Sequence, residues 1–223
     1  MMQHMQQDKT IVLGYGAYEK TPGFLNKVIR YDTFYIALQY LGFGLAKRPY
    51  MGVGRNLAYT KTAFFNNKGF ASHYHIASGD DDLFINEVAN KKNTTVEIDE
   101  ESITVSKVKP TLKLWIRQKR RHITTFKFYK SGTQARLVTL GLSQYFFYIL
   151  FVVLLIMQYE VYVILGVFLF RIIVQMVIFS GATKRLKEKD LLILAPVLEL
   201  IIMFFYPLLG FTNLFIRKSK WIN

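Results

Sequence analysis

The segment Gly79-Asp80-Asp81-Asp82-Leu83-Phe84 places three consecutive carboxylates in a chain whose formal net charge is +14. It follows the small residues Ala77-Ser78 and leads into a short apolar run, a pattern that predicts a helix beginning at the carboxylates. Carboxylates there can act as a general base, hold a cation, or cap the helix, with Ser78 as N-cap and Asp81 three residues on. Three carboxylates are more than capping requires. Their mutual repulsion is expected to raise at least one pKa toward the range of a useful base.

A second charged segment, Arg117-Gln118-Lys119-Arg120-Arg121-His122, has the opposite sign. It belongs to residues 107–136, which carry ten Lys and Arg and no Asp or Glu. A basic stretch directly before an apolar one is typical of an anchor to anionic membrane lipid, at about 1 kcal/mol per cationic side chain. Nucleic acid is not expected as a partner, because no groove-reading motif accompanies the charge.

This basic stretch is predicted to form an amphipathic helix that opens at Pro110-Thr111. Its apolar face consists of Leu112, Trp115, Ile116, Ile123 and Phe126. An apolar face with Trp opposite a cationic face is the pattern of a helix lying in the membrane interface. An amphipathic helix packed on the protein core has the same pattern, so the sequence alone leaves both interpretations open.

Three apolar stretches follow, at residues 137–157, 161–180 and 191–215. The first contains 21 residues without a charge, which is long enough to cross a bilayer. The loop 184–189 is basic and is therefore expected on the cytoplasmic side. The sequence thus predicts a multi-pass protein of the cell membrane whose soluble part faces the cytoplasm.

Two features of the apolar stretches concern charge. Arg171 and Glu199 are ionisable groups inside them, which is costly unless they are paired or hydrated, so we expect them to pair with each other. The tail Arg217–Lys220 is basic, so a single crossing by the third stretch would place that end outside, against the positive-inside trend. Pro196 and Pro207 also allow a re-entrant hairpin, and the topology of the third stretch is open at this stage.

The residues before the basic stretch have a mixed soluble pattern. Residues 11–18 are predicted to form a short strand ending at glycines, and residues 94–98 and 103–105 alternate in the pattern of half-buried strands. Thr21-Pro22 predicts a helix start. The chain has no Cys, and its one closely spaced histidine pair, His73 and His75, has no third ligand at a recognisable spacing, so we expect no metal site within this chain.

Three motifs, in this order and spacing, resemble the membrane-bound inverting family 2 glycosyltransferases, the group that includes cellulose and hyaluronan synthases. The first is the glycine-rich strand entry Gly52-Val53-Gly54-Arg55-Asn56-Leu57-Ala58. The acidic segment resembles Gly-Asp-Asp-x-x-Leu/Phe. Gln118-Lys119-Arg120-Arg121-His122 resembles Gln-x-x-Arg-Trp, and membrane spans follow it. The resemblance covers about residues 11 to 160.

The resemblance implies an α/β fold class and a division of the chain into four parts. Residues 1–106 would be the C-terminal half of a GT-A (nucleotide-diphospho-sugar transferase-like) domain. Residues 107–136 would be the basic interfacial amphipathic helix. Residues 137–216 would be the transmembrane region, with two spans plus a third span or re-entrant hairpin. Residues 217–223 would be a basic tail.

The resemblance also implies roles for individual residues. Asp81 matches the catalytic base that takes the proton from the acceptor hydroxyl, Asp80 would tune or orient it, and Asp82 completes the acidic cluster. Gln118 and Arg121 match the motif that holds the donor diphosphate and the acceptor end. The substrate-binding residues implied in this way are Gln118, Arg120, Arg121, His122, Gly54, Arg55 and Asn56.

The sequence departs from the family in two respects. His122 stands where the family has Trp. The family's nucleotide-binding half, on the order of 100 residues in several βαβ units, has no counterpart here, and the only Asp-x-Asp is Asp80-x-Asp82. The complete enzyme would use a divalent cation, Mg or Mn, whose main ligands are missing from this chain. The chain is therefore expected to be inactive alone and to need a nucleotide-binding half, which could be a separate partner.

The function expected from the resemblance is sugar transfer, with inversion, from a nucleotide-sugar donor to a lipid-linked or polysaccharide acceptor at the membrane. The alternative is a non-catalytic membrane protein whose basic helix binds anionic lipid or a partner subunit. That alternative explains the charge of residues 107–136 but leaves the three clustered carboxylates without a role.

Overall fold

The computed structural model describes residues 9–76 and 78–215 as a mixed α/β part followed by three long apolar helices. The strands are β1 (Ile11–Gly14), β2 (Gly16–Tyr18), β3 (Leu57–Tyr59), β4 (Thr94–Glu97) and β5 (Thr104–Ser106). The helices are α1 (Phe24–Leu45), α2 (Lys61–Asn66), α3 (Asp80–Val88), α4 (Leu112–Ile123), α5 (Ser131–Ile156), α6 (Val161–Arg185) and α7 (Ala195–Phe215). The predicted α/β class is confirmed at this level, whereas the GT-A assignment stays a prediction.

The strands form two small sheets that share one extended segment. In the first sheet β1 is central, antiparallel to β3 and parallel to β4, and Leu13 lies opposite both Leu57 and Val96. In the second sheet β2 pairs in parallel with β5. Only Tyr15 separates β1 from β2, so a single run of backbone organises both sheets. All four residues of β1 are buried, which makes this strand the centre of the α/β core.

Helix α1 begins later than predicted. It starts at Phe24 with Gly23 as N-cap, and no side chain caps it, so the predicted start at Thr21-Pro22 is wrong by two residues. Gly23 adopts φ 109, a left-handed backbone angle that a residue with a side chain avoids, so the chain turns there before the helix can begin. At the other end a Cβ on Gly44 would lie 2.7 Å from Val96 Cγ2. Glycine therefore lets α1 pack closely on the first sheet.

Residues 107–136 form several elements. Helix α4 starts after Thr111, whose hydroxyl accepts a hydrogen bond from the Leu114 N–H. A short 3-10 helix at Phe126–Phe128 then leads to α5. Trp115 is buried and stacks on Phe205 of α7, with ring centroids 4.5 Å apart, whereas Leu112 and Leu114 are exposed. The centre of the predicted apolar face thus packs on protein.

Among the described residues, three helices are long and apolar enough to cross a membrane, namely α5, α6 and α7. Helix α7 is continuous through Pro207 and shows no break at the position of a hairpin. The loop between α6 and α7 docks on the α/β part, because the buried Arg30 guanidinium forms ion pairs with Glu188 and Asp190. The Tyr15 hydroxyl also donates to Glu188, at 3.0 Å. The loop therefore lies on the same side of the apolar helices as the α/β part.

A cavity that joins the acidic segment to the apolar helices

The acidic segment forms the start of α3, as predicted, but its cap differs from the prediction. The N-cap is Gly79, at φ 84, and no side chain caps the helix, so the predicted capping by Ser78 is wrong. Glycine is favoured here by its positive φ, and it is also required by a close contact. A Cβ at position 79 would lie 2.2 Å from Thr125 Cγ2. The absence of a side chain lets the start of α3 touch the linker between α4 and α5.

The three carboxylates have three different environments. Asp80 is exposed. Asp81 is half-buried, and its Oδ2 accepts a hydrogen bond from the Gly54 N–H at 2.5 Å while its Oδ1 accepts from the Asp82 N–H at 3.0 Å. These two backbone donors fix the orientation of the Asp81 carboxylate. Each of its oxygens keeps a lone pair for a further partner.

Asp82 is buried, with 6% of its surface exposed. Its Oδ2 accepts hydrogen bonds from the Thr125 hydroxyl at 3.2 Å and from the Tyr129 hydroxyl at 3.1 Å. Burial, and to a smaller extent the neighbouring Asp81 carboxylate, raise the pKa of Asp82 to about 8. The two hydrogen bonds lower this pKa, but by less than burial raises it. Repulsion within the cluster therefore contributes to a raised pKa, as expected from the sequence, and burial contributes more.

A cavity of about 400 Å³ extends from the acidic segment to the apolar helices. Its wall is built by α1, α4, α5, α7 and the segments around β2 and β3, and most of it is apolar or aromatic. The structure brings several of the residues implied by the resemblance to this cavity. They are Asp81, Asp82, Arg55, Gln118 and His122.

Tyr18 links two of these residues. The Arg55 guanidinium lies over the Tyr18 ring, 4.0 Å from its centroid, and Arg55 Nη1 donates to the Ala17 carbonyl at 2.8 Å. Gln118 Nε2 donates to the Tyr18 hydroxyl at 3.4 Å. The glycine-rich strand entry and the basic helix therefore meet at one tyrosine on the cavity wall.

His122 is at the same wall. Its ring is accessible to water from the cavity, although protein atoms surround it closely. Desolvation, and then the cationic groups of Lys119 and Arg121, lower the pKa of His122 to about 4. At neutral pH the imidazole is therefore uncharged and can donate or accept a hydrogen bond.

Two of the implied residues act through the backbone or the core. Gly54 is outside the cavity lining, but its N–H holds Asp81, and a Cβ there would lie 2.9 Å from Asp81 Oδ2. Asn56 is buried, and its Nδ2 donates to the carbonyls of Tyr15 and Ser102. Asn56 therefore ties the two sheets together and does not border the cavity.

Three further implied residues also lie outside the cavity lining. Asp80 and Arg121 are exposed. Arg120 is turned toward α7, where its Nη2 donates to the Thr212 hydroxyl at 3.3 Å and its carbonyl accepts from Asn213 Nδ2 at 3.3 Å. The basic motif is therefore divided. Gln118 and His122 face the cavity, and Arg120 joins α4 to an apolar helix.

The structure adds a buried ion pair that the sequence interpretation missed. Asp32 of α1 is fully buried and forms an ion pair with Lys119 of α4. The Tyr206 hydroxyl of α7 donates to the same carboxylate at 2.7 Å. Lys119 and Tyr206 both line the cavity. The available signal was a carboxylate on a helix that is otherwise apolar, since a buried charge of this kind needs a partner.

At the membrane end, Glu199 lines the cavity and is almost fully buried. Arg171 Nη2 donates to Glu199 Oε1 at 2.5 Å, so the predicted pairing of these two residues is present. Gln144 Nε2 donates at 2.6 Å, Gln175 Nε2 at 2.7 Å and the Tyr148 hydroxyl at 3.2 Å. Four donors on α5 and α6 thus satisfy one carboxylate on α7.

The residues that the structure describes do not group into a site for a divalent cation. Across residues 9–76 and 78–215, no group of three or more His, Cys, Asp or Glu side chains has the arrangement of a metal site. Asp80 faces solvent, and the Asp82 carboxyl is buried and held by two hydroxyl groups. His73 Nε2 lies 3.7 Å from Glu87 instead of at a metal-ligand cluster.

Comparison with protein-family models finds no match for this chain, and comparison with curated proteins finds none either.

Proposed function

We propose that this chain is the acceptor-binding and base-bearing half of a membrane-bound inverting glycosyltransferase. One observation carries the proposal. A single cavity collects Asp81, Asp82, Arg55, Gln118 and His122, which lie far apart in the sequence, and continues to the apolar helices. A mostly apolar cavity with a few convergent polar groups and a carboxyl of perturbed pKa is the usual form of a binding or active site.

In this proposal Asp81 is the general base. Its carboxylate would accept the proton of an acceptor hydroxyl as that oxygen attacks the anomeric carbon from the face opposite the leaving nucleotide. The hydrogen bonds from the Gly54 and Asp82 N–H groups hold the carboxylate in one orientation. Asp82, which is largely protonated near neutral pH, adds little negative charge beside the base.

The donor diphosphate would lie near the cationic side of the cavity. Arg55 presents its guanidinium there, and Gln118 and neutral His122 provide further hydrogen-bonding groups. Positive charge positioned at a departing diphosphate stabilises the transition state of such transfers. Lys119 is less available for this role, because Asp32 already neutralises its charge.

The acceptor would occupy the part of the cavity between α1, α5 and α7. This part contains several aromatic side chains, among them Tyr35, Tyr145 and Tyr206. Aromatic surfaces with hydroxyl groups suit either a glycan or the first units of a lipid carrier. The proposal therefore retains a lipid-linked or polysaccharide acceptor, with membrane lipid around α5 and α6.

The nucleotide-sugar donor requires groups beyond those described above. We assign its nucleotide, and the divalent cation of the complete enzyme, to a nucleotide-binding part that acts together with this chain.

A donor screen tests the proposal. Membranes containing the full chain, with and without the nucleotide-binding part, are incubated with labelled nucleotide sugars, and the label is counted in lipid and glycan fractions. We expect transfer from one donor, with an anomeric configuration in the product opposite to that in the donor. Transfer with retained configuration, or no transfer in any combination, would contradict the proposal.

The exposed cationic side chains of α4 favour the second candidate, a non-catalytic protein that binds anionic lipid. Lys113 and Arg117 are exposed, as are Lys127 and Lys130 in the following linker. The measurement is the amount of anionic lipid that copurifies with the wild type and with Lys113→Gln/Arg117→Gln. This candidate predicts less bound lipid in the double variant. If the double variant retains as much anionic lipid as the wild type, this candidate is contradicted.

A further inference from the structure

Helix α7 approaches the α/β part at both ends. Before its start, the Arg30–Glu188 ion pair holds the loop from α6, and Leu191 is fully buried. Near its other end, Thr212 and Asn213 hydrogen bond to Arg120 of α4. Helix α4 in turn belongs to the wall beside the α/β part, since its Gln118 reaches Tyr18.

The contacts between α7 and α4 advance in the same direction along both helices. Phe205 stacks on Trp115, and seven residues later Thr212 contacts Arg120. Between them, Tyr206 meets Asp32, the partner of Lys119. The two helices therefore run side by side over this length and do not cross at a single point.

This path is incompatible with a helix that crosses the bilayer away from the α/β part. Asn213 follows Glu199 by 14 residues, which corresponds to about 21 Å along a helix. In a crossing helix Asn213 would lie farther across the membrane than Glu199 by about that distance. Instead, Asn213 contacts α4. The length and composition of α7 would allow a crossing, so the contacts decide the question.

The outer face of α7, together with Ile193 two residues before the helix, is apolar. Its exposed residues recur every three or four positions, which places them on one side of the helix. They are Ile193, Val197, Leu200, Phe204, Leu208, Phe211 and Phe215. The opposite face, including Leu198, Ile202 and Leu209, is buried against the protein.

We propose that α7 does not cross the bilayer but lies in the leaflet on the side of the α/β part, with its apolar stripe among the acyl chains of that leaflet. The cationic side chains of α4 and its linker then lie at the level of anionic headgroups. This arrangement also resolves the conflict in the sequence. Because α7 does not cross, the chain after the basic loop 184–189 no longer has to leave that loop's side of the membrane, and the conflict with the positive-inside trend does not arise. The proposal does not depend on a glycosyltransferase activity.

The absence of Cys from the chain allows a direct test with single-cysteine variants of the full-length protein. Ser219→Cys reports on the tail, which lies outside the described residues. Lys189→Cys marks the side of the α/β part, and Tyr159→Cys in the turn between α5 and α6 marks the other side. Each variant is treated with a membrane-impermeant maleimide in intact cells and in inverted membrane vesicles.

We expect Ser219→Cys to label from the same side as Lys189→Cys and from the side opposite Tyr159→Cys. Labelling of Ser219→Cys together with Tyr159→Cys would overturn the proposal. If the thiol at position 219 labels from neither side, an epitope tag after Asn223 with a protease site replaces it. Cleavage from the side of Lys189→Cys supports the proposal, and protection on that side with cleavage on the other overturns it.

Discussion

Asp82 and Glu199 are buried carboxyl groups at opposite ends of one cavity, and their surroundings differ. Glu199 accepts hydrogen bonds from four side chains, one of them the Arg171 guanidinium. Asp82 accepts hydrogen bonds from two neutral hydroxyls, has Asp81 beside it, and has a pKa of about 8. A carboxylate with a cationic partner and a full set of donors stabilises structure. A carboxyl group without a cation retains a proton that can be exchanged near neutral pH.

The largest effect is expected from removing the cation at Glu199. Arg171→Met leaves the buried carboxylate without its cationic partner and should cost about 3–5 kcal/mol of stability. The thermal unfolding midpoint in detergent measures this loss. Arg185→Met, in the exposed last turn of the same helix, is the matched control and should change little.

A double-mutant cycle sharpens this result. Glu199→Gln removes the charge that Arg171 compensates, so Arg171→Met should cost less in that background than in the wild type. Equal cost in both backgrounds would show that the two side chains are not coupled.

The next effect concerns Asp82 and depends on pH. Because its pKa in the folded state lies above the unfolded value, folding is favoured by the protonated carboxyl at pH below about 4, and this stability is lost as the pH rises toward about 8. Asp82→Asn removes the ionisation, so raising the pH from 4 to 9 should destabilise this variant less than it destabilises the wild type, by about 4–5 kcal/mol. Unfolding midpoints of both proteins across this pH range are the measurement. Parallel curves would contradict the raised pKa.

A smaller loss of stability is expected when a substitution at Gly79 disturbs the contact of α3 with Thr125, beside Asp82. Gly79→Ala puts a Cβ against Thr125 and forces alanine to φ 84, which should cost about 1–3 kcal/mol. Gly132→Ala is the control, because the nearest atom to its Cβ is the flexible Arg136 side chain at 3.7 Å. Chemical denaturation of both variants compares them. A Gly79→Ala variant as stable as Gly132→Ala would contradict the close packing of α3 on the linker.

The smallest effects on stability are expected when one tyrosine hydroxyl is removed at each of the two carboxyl groups. Tyr129→Phe removes one of two side-chain donors to Asp82 and should cost about 1 kcal/mol at pH 9, where the carboxyl is ionised. The cost at pH 5 should be smaller, since this hydrogen bond lowers the pKa of Asp82. Tyr148→Phe leaves Glu199 three other donors and should cost less than about 0.5 kcal/mol at both pH values. Equal and pH-independent losses would remove the contrast between the two carboxyl groups.

The parts of this structure that depend on local pattern could be predicted from the sequence. The apolar helices, the extended run at residues 11–18 and the start of α3 follow from periodicity and turn residues, although the division of that run into β1 and β2 does not. The Arg171–Glu199 pair could also be predicted, because the apolar stretches offered these two charges no other partner.

The remaining features depend on contacts between distant segments. Nothing local distinguishes Asp82 from Asp80, yet Thr125 and Tyr129 bury only Asp82. The ion pair of Asp32 with Lys119 joins α1 to α4, and no sequence spacing indicates it. The capping prediction failed because Gly79, which must accommodate Thr125, takes the cap position from Ser78.

The central claim is that sugar transfer takes place at the end of the cavity formed by the acidic segment and that Asp81 is the general base. The most direct test is the initial rate of sugar transfer by Asp81→Asn relative to wild type, in membranes that also contain the nucleotide-binding part and hold equal amounts of folded protein. Asp99→Asn, an exposed carboxylate outside the cavity, is the control. The account predicts a loss of about 10²- to 10⁴-fold for Asp81→Asn and none for Asp99→Asn. Transfer by Asp81→Asn at the wild-type rate would contradict it.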